Sequence, residues 1–244
     1  MNIIFFGSDD FAAVHLQVLI DSAHKVVACV TQPDRPKGRG MKITRSLIAE
    51  HARKRRIPVL QPDSLKGNAI VKDLKSFQSD IFMVIAYGQF LPKAILNIAP
   101  LGAVNVHASL LPKYRGAAPI NWAIINGEQE TGVSIIRINT KMDAGDILAQ
   151  TKIKIEGDDT AVTLREKMMQ ASPSFLLKTI DDLGRGTMRS APVAQDDRLA
   201  TLAPKLTKEL GFIQWTRKAG EIYNCVRGLL PWPSAYTFYK GKIL

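Results

Sequence analysis

The stretch Gly102-Ala103-Val104-Asn105-Val106-His107, running on into Ser109-Leu110-Leu111-Pro112-Lys113-Tyr114-Arg115-Gly116, decides how this chain is read. A short apolar run with β-branched residues reads as a buried strand. Asn105 and His107 stand two positions apart near its C-terminal end, and side chains at i and i+2 share one face of a strand. A Pro/Gly-punctuated loop follows. Open α/β sheets carry their chemistry at the carboxyl ends of buried strands, so this stretch points to an α/β fold with a polar site at one strand end.

The segments on either side fit that frame. Ile3 to Phe6 is an apolar run ending at Gly7, and Phe11, Val14, Val18 and Leu19 follow at helical spacing behind Ser8 or Asp9 as N-cap. Lys25 to Thr31 is the next strand, which completes a βαβ start. The first turn has no G-x-G-x-x-G, so a dinucleotide is not implied. A helix is expected over Arg45 to Arg56, a short strand over Pro58 to Leu60 and a helix over Asn68 to Phe77. Asp80 to Tyr87 has the composition of a buried parallel strand, and Pro92 suits the N1 position of a short helix. Ala118 to Asn126 reads as a helix closed by Gly127. Thr131 to Ile138 and Ile147 to Ile155 alternate, which predicts an antiparallel pair around an Asp/Gly-rich turn. Thr160 to Asp182 is an amphipathic helix that Pro173 is expected to kink or interrupt.

The prediction is a Rossmann-like, doubly wound, mainly parallel sheet over residues 1–185. Glycines, prolines and small polar residues mark 186–208 as a linker. Residues 209–244 start something new, yet so short a segment cannot close a core of its own. It is expected to be the incomplete beginning of a second domain.

The formal charge of +11 favours a polyanionic partner, nucleic acid first. Nine Lys/Arg against Asp34 and Glu50 put a net +7 of that between residues 34 and 56. No apolar run has bilayer-spanning length. The N-terminus lacks the basic region of a signal peptide. Cys29 and Cys225 have no metal-ligand spacing and are expected to be free thiols in a reducing cytosol.

Asn105 and His107 gain a third member in Asp143, in the turn Asp143-Ala144-Gly145-Asp146 between two strands that can return to the same sheet edge. A carboxylate beside an imidazole orients the ring, and an amide donor next to it makes a site able to stabilise an oxyanion. Turn chemistry alone would also place Asp and Gly there. Too few oxygen ligands lie nearby for a calcium loop, and no metal is expected. No nucleophile elbow is present. His15, His24 and His51 fall in or beside helix patterns. A polar set without a nucleophile suits direct transfer of an acyl group onto a nucleophile of the substrate.

Asn105-Val106-His107, the run Ser109-Leu110-Leu111-Pro112-Lys113-Tyr114-Arg115-Gly116, and Asp143 in its D-x-G-D turn together resemble the folate-dependent formyltransferase family. Phe6-Gly7-Ser8-Asp9-Asp10-Phe11-Ala12 matches its opening. The loop Thr31-Gln32-Pro33-Asp34-Arg35-Pro36-Lys37-Gly38-Arg39-Gly40 resembles an insertion found in the members that act on initiator methionyl-tRNA. Ala203 to Glu209 with Ile213 and Trp215, and Arg227 to Pro233, resemble the join to those members' C-terminal OB-like barrel.

The resemblance implies the formyltransferase fold, with 10-formyltetrahydrofolate as donor and the amino group of methionyl-tRNA as acceptor. Asn105, His107 and Asp143 match the family's catalytic three. Asn105 and His107 would donate to the developing oxyanion, while Asp143 orients His107 and helps move protons. Folate is expected against Ala86, Tyr87, Gly88, Gln89, Phe90 and Leu91, and beside Ser109, Leu110, Leu111 and Pro112. The family commonly has Leu-Ile where this chain has Gln89-Phe90. Arg39 would enter the acceptor stem, with Arg35, Lys37 and Lys42 on phosphates. A cytoplasmic monomer with no membrane contact is expected. Two rivals remain at this stage: a formyltransferase for a small amine such as glycinamide ribonucleotide or an amino sugar, and a non-catalytic tRNA- or membrane-binding module.

Overall fold

The computed structural model describes residues 1–37, 42–44 and 46–244. In chain order its elements are β1 (Asn2–Gly7), α1 (Asp10–Ile20), β2 (Lys25–Val30), β3 (Arg35–Lys37), β4 (Lys42–Thr44), α2 (Leu47–Lys54), β5 (Val59–Leu60), α3 (Asn68–Ser76), β6 (Ile81–Ile85), α4 (Lys93–Leu96), β7 (Ala103–His107), β8 (Arg115–Gly116), α5 (Pro119–Ile125), β9 (Glu130–Arg137), β10 (Ile147–Lys154), α6 (Ala161–Arg185), β11 (Leu202–Ala203), α7 (Ala219–Gly228), β12 (Phe238–Tyr239) and β13 (Lys242–Ile243).

Among the described residues the main sheet runs β10-β9-β7-β6-β1-β2-β5. β5, β2, β1, β6 and β7 are parallel, while β9 and β10 close one edge antiparallel. The chain builds outward from β1 through β2 to β5, then returns to β1's other side for β6 and β7. That reversal between β1 and β6 opens a crevice at their carboxyl ends.

Both sheet faces are covered, and the pleat sorts the residues. Ile3 and Phe5 join the core beneath α1 and α6, with Leu16, Leu164, Met168 and Leu176. Ile4 and Phe6 join the opposite core with Ile70, Leu74 and Ile95 of α3 and α4. Each such side chain contributes about 1.5–3 kcal/mol by leaving water. This double burial makes β1 and β6 read as continuous apolar runs rather than alternating ones. Asp9 caps α1 by accepting the Ala12 N–H at 2.9 Å, which is worth about 1 kcal/mol.

Several elements depart from the sequence reading, and β3 and β8 form inside stretches read as loops. Pro92 sits at the N-cap of α4 and not at N1. α6 runs unbroken through Pro173 to Arg185. Pro173 and its neighbour Ser172 are buried among the core residues Met168 and Leu176, so packing on both sides holds the helix across the missing donor. The stretch read as a linker is bound back onto the sheet edge. Val193 bridges to Ile147, and β11 pairs in parallel with β8. Gly116 makes that pairing possible: its φ is +128°, and a Cβ there would lie 2.6 Å from the Ala203 carbonyl oxygen. Further on, α7 packs against α5, with Asn121 Nδ2 donating to Gly228 O at 2.7 Å. Arg227, only 7% exposed, donates to Asp159 O at 2.7 Å.

Candidate active site

A cavity of about 910 Å³ opens at the carboxyl ends of β6 and β7. Its wall includes the segment from Ala86 to Leu91, together with Asn105, His107, Gly116 and Asp143. Alternation on β7 sends Asn105 and His107 to this side, as expected. Opposite them across the ladder are Ile136 and Ser134 of β9.

The Asn105 side-chain amide makes no hydrogen bond among the described residues, so its N–H groups are available to a ligand. His107 is 6% exposed, and its Nε2 lies 2.8 Å from the Tyr114 carbonyl oxygen. A carbonyl only accepts, so Nε2 carries the proton. Nδ1 is thereby turned toward Asp143, whose Oδ2 is 3.8 Å away. That is ion-pair range but beyond a hydrogen bond. Tyr114, and not Asp143, therefore fixes the ring orientation. The Asp143 carboxylate is itself fixed, because Oδ2 accepts the Gly116 N–H at 2.9 Å. Three non-glycine residues of this site hold left-handed backbone: Ala86 at φ +46°, Tyr114 at +63° and Asp143 at +49°. Such conformations persist where surrounding contacts over-determine them, and they cluster at functional sites.

The expected folate residues divide. Ala86, Tyr87, Gly88, Gln89, Phe90 and Leu91 all border the cavity. Phe90 is 63% exposed, whereas the Tyr87 ring turns into the core against Phe6, and burial pushes its hydroxyl up to about 12. Gln32 Nε2 and Ser8 Oγ both donate to Tyr87 O, holding this loop. Ser109, Leu110, Leu111 and Pro112 do not line the cavity. Ser109 is fully buried and gives its hydroxyl to Lys113 O at 2.6 Å. Ser134 Oγ links Ser109 O and Leu111 N, which turns the segment away from the cavity.

Arg39 lies outside the described residues. Arg35 and Lys37 are on β3 and Lys42 is on β4, with Lys37 opposite Lys42 in an antiparallel hairpin.

Some residues on the cavity wall carry no signal in the sequence. Arg165 of α6 binds Asp9 at 2.9 Å and Asp10 at 2.7 Å and covers the Phe11 ring. Burial raises the Asp9 carboxyl above its ordinary value despite that partner. At Asp10 burial pulls the same way but the Arg165 guanidinium outweighs it, and the carboxyl falls. Lys141, Met142 and Trp232 also reach the cavity. More than a hundred and fifty residues separate Asp9 from Arg165, and no spacing rule links them. Among the described residues no group of three or more His, Cys, Asp or Glu is placed to hold a metal ion, and no helix is long and apolar enough to cross a membrane.

Residues 1–180 match the formyl transferase family, and residues 205–244 match the formyl transferase C-terminal domain. The chain is 43% identical over 244 residues to the methionyl-tRNA formyltransferase of Alkaliphilus oremlandii, covering 100% of this chain and 78% of the relative. It is 48% identical over 244 residues to that of Desulfotalea psychrophila, covering 100% and 75%. Among solved structures, a 4-N formyltransferase from Francisella tularensis superposes with a TM-score of 0.79 at 17% identity, covering 100% of this chain and 95% of that one. HypX from Aquifex aeolicus in complex with tetrahydrofolic acid gives a TM-score of 0.67 at 16% identity, covering 99% and 36%. The structural likenesses establish the fold, and the sequence relatives, matched over the whole of this chain, narrow it further: the chain belongs to the formyl transferase family, among its methionyl-tRNA formyltransferases.

Proposed function

We propose that the chain transfers the formyl group of 10-formyltetrahydrofolate to the α-amino group of initiator methionyl-tRNA, giving the N-formylated tRNA that starts translation. The observation that carries this reading is that Asn105, His107 and Asp143 all line one cavity, with Asp143 Oδ2 3.8 Å from His107 Nδ1, in a chain so similar to that family. Ligand clefts commonly hold about 300–1,000 Å³, so the cavity has room for a pterin and an aminoacyl end together.

The amine nitrogen attacks the formyl carbon, a C–N bond forms, and negative charge collects on the formyl oxygen. Asn105 Nδ2 donates to that oxygen; one such preorganised donor is worth about 3–4 kcal/mol. His107, with Nε2 committed to Tyr114 O, works through Nδ1 on the cavity side. Asp143 takes the proton that the amine nitrogen gives up once the C–N bond has formed, and that proton passes to N10 of the folate as the oxyanion collapses to the formyl carbonyl and the C–N10 bond breaks. The folate lies along residues 86–91, with Phe90 as outer wall. Arg35, Lys37 and Lys42 meet tRNA phosphates, and Arg39 enters the acceptor end. Residues 1–185 carry the chemistry, and those from 209 onward begin an OB-like unit that also holds tRNA. The enzyme works as a monomer in the cytoplasm.

The test offers this chain 10-formyltetrahydrofolate with methionyl-tRNA, glycinamide ribonucleotide or an amino sugar nucleotide. Formyl-methionyl-tRNA is the expected product, and tRNA affinity should fall steeply with salt. Transfer only to a small amine, or salt-insensitive tRNA binding, would overturn the assignment.

A further inference from the structure

Asp143 sits in a left-handed backbone conformation at the tip of a surface turn, an arrangement that calls for support from outside the turn. The support comes from Gln195, fifty-two residues further on, in the segment whose composition reads as a linker. Gln195 Nε2 donates to Asp143 O at 2.8 Å and to Gly145 O at 2.7 Å. Its Oε1 accepts from Arg115 Nε at 3.0 Å and from a terminal Arg115 nitrogen at 2.8 Å. The amide can take no other orientation, because Arg115 only donates and both carbonyls only accept.

These bonds close a ring. The Asp143 carboxylate holds the Gly116 N–H. Gly116 follows Arg115, whose guanidinium holds Gln195, and Gln195 holds the Asp143 backbone. Arg115 is anchored in turn by Asp197 at 2.8 Å and by its own N–H to Thr201 O. The carboxylate is thus fixed from its side chain and from its main chain by two arms of one network.

We propose that Gln195 is a positioning residue for the reaction: it clamps the Asp143 turn so that the carboxylate stays facing His107. The proposal rests on the reading of Asp143 as the carboxylate of the site. It makes the 193–203 segment part of the machinery and not a passive connection.

The experiment compares Gln195→Ala and Gln195→Glu, each in the unaltered full chain and in an Asp143→Ala background. Glu keeps the length and the Arg115 pairing but turns an acceptor toward two carbonyls. Two readouts are taken. Hydrogen exchange at the Gly116 amide, which reports the Asp143 bond without any turnover, should become at least tenfold faster in both variants, with the Val104 core amide unchanged as the control for folding. In formyl transfer to methionyl-tRNA, kcat should fall at least tenfold while the folate KM stays within about twofold. In the Asp143→Ala background neither variant should lower kcat further. Unchanged Gly116 exchange, a loss confined to KM, or an equal loss in both backgrounds would overturn the clamp. If the unaltered chain transfers no formyl group, the functional reading fails, and the Gly116 exchange still decides whether Gln195 holds the turn.

Discussion

Lowering the pH should destabilise this fold through one histidine in the wall of α1. His15 is fully buried, and its Nδ1 lies 2.7 Å from the Phe11 carbonyl oxygen, which makes Nδ1 the protonated nitrogen. Nε2 is buried without a partner. A second proton there would create a charge with no acceptor beside it. Burial accordingly pushes the ring down to about 4 from 6.5, with the Phe11 carbonyl opposing only weakly. Above 6.5 neither state binds the extra proton. Between 6.5 and 4 the unfolded chain takes it up and the folded chain does not, so stability drops as pH falls, and it levels off below 4. That lowering corresponds to about 3 kcal/mol, a large share of a typical 5–15 kcal/mol. Urea unfolding of the wild type and of His15→Leu at intervals from pH 7.5 to 4 isolates this group, since the Asp and remaining His residues are common to both. The variant should be within about 1 kcal/mol at pH 7, having lost one helix-internal bond, and should gain on the wild type by about 3 kcal/mol by pH 4. A constant difference across that range would refute the argument.

Asn105→Ala removes the unpartnered donor facing the cavity and should lower kcat about 10²–10³-fold with the thermal midpoint little changed; turnover near wild type would remove Asn105 from the mechanism. Gly145→Ala would drive a Cβ into the Arg137 carbonyl oxygen, so the Asp143 turn must lift off the end of β9. That should cost about 1–3 kcal/mol together with most of the formyl transfer, and an unaltered melting curve would contradict it. Arg39→Ala should weaken formylation of methionyl-tRNA far more than folate binding, measured by turnover and by folate titration; equal losses would assign the loop a structural role. Ser134→Ala strips the buried Leu111 N–H and Ser109 C=O of their shared partner and should destabilise by about 1–3 kcal/mol for each group left unsatisfied, read by denaturant unfolding.

The legible part of this protein was its periodic part. β1, β6 and β7 are buried on both faces, and a run such as Ile81 to Ile85 has few other places to go. The pair Asn105 and His107 was readable because strand alternation is local and strict. Asp143 was readable from turn composition together with the resemblance. What escaped was set by contacts distant in sequence. Pro173 carries a local helix-breaking signal that tertiary packing overrides. Ser109 to Pro112 follow β7 directly in sequence, but Ser134 from β9 turns them inward. Gln195 sits among residues with no hydrophobic pattern, and only folding brings it to Asp143 and Arg115. Arg165 meets Asp9 and Asp10 across almost the whole first domain.

The parallel pairing of β8 with β11 has a consequence for dissecting the molecule. Cutting after Arg185, where α6 ends and composition suggests a boundary, would remove the strand that completes β8, the Thr201 oxygens that hold Tyr114 and Arg115, and the amide that holds the Asp143 turn. The smallest piece that keeps these supports extends through Ala203. Exchanging 186–208 for a flexible spacer of equal length would preserve the reach between the two ends and still leave the site open from behind.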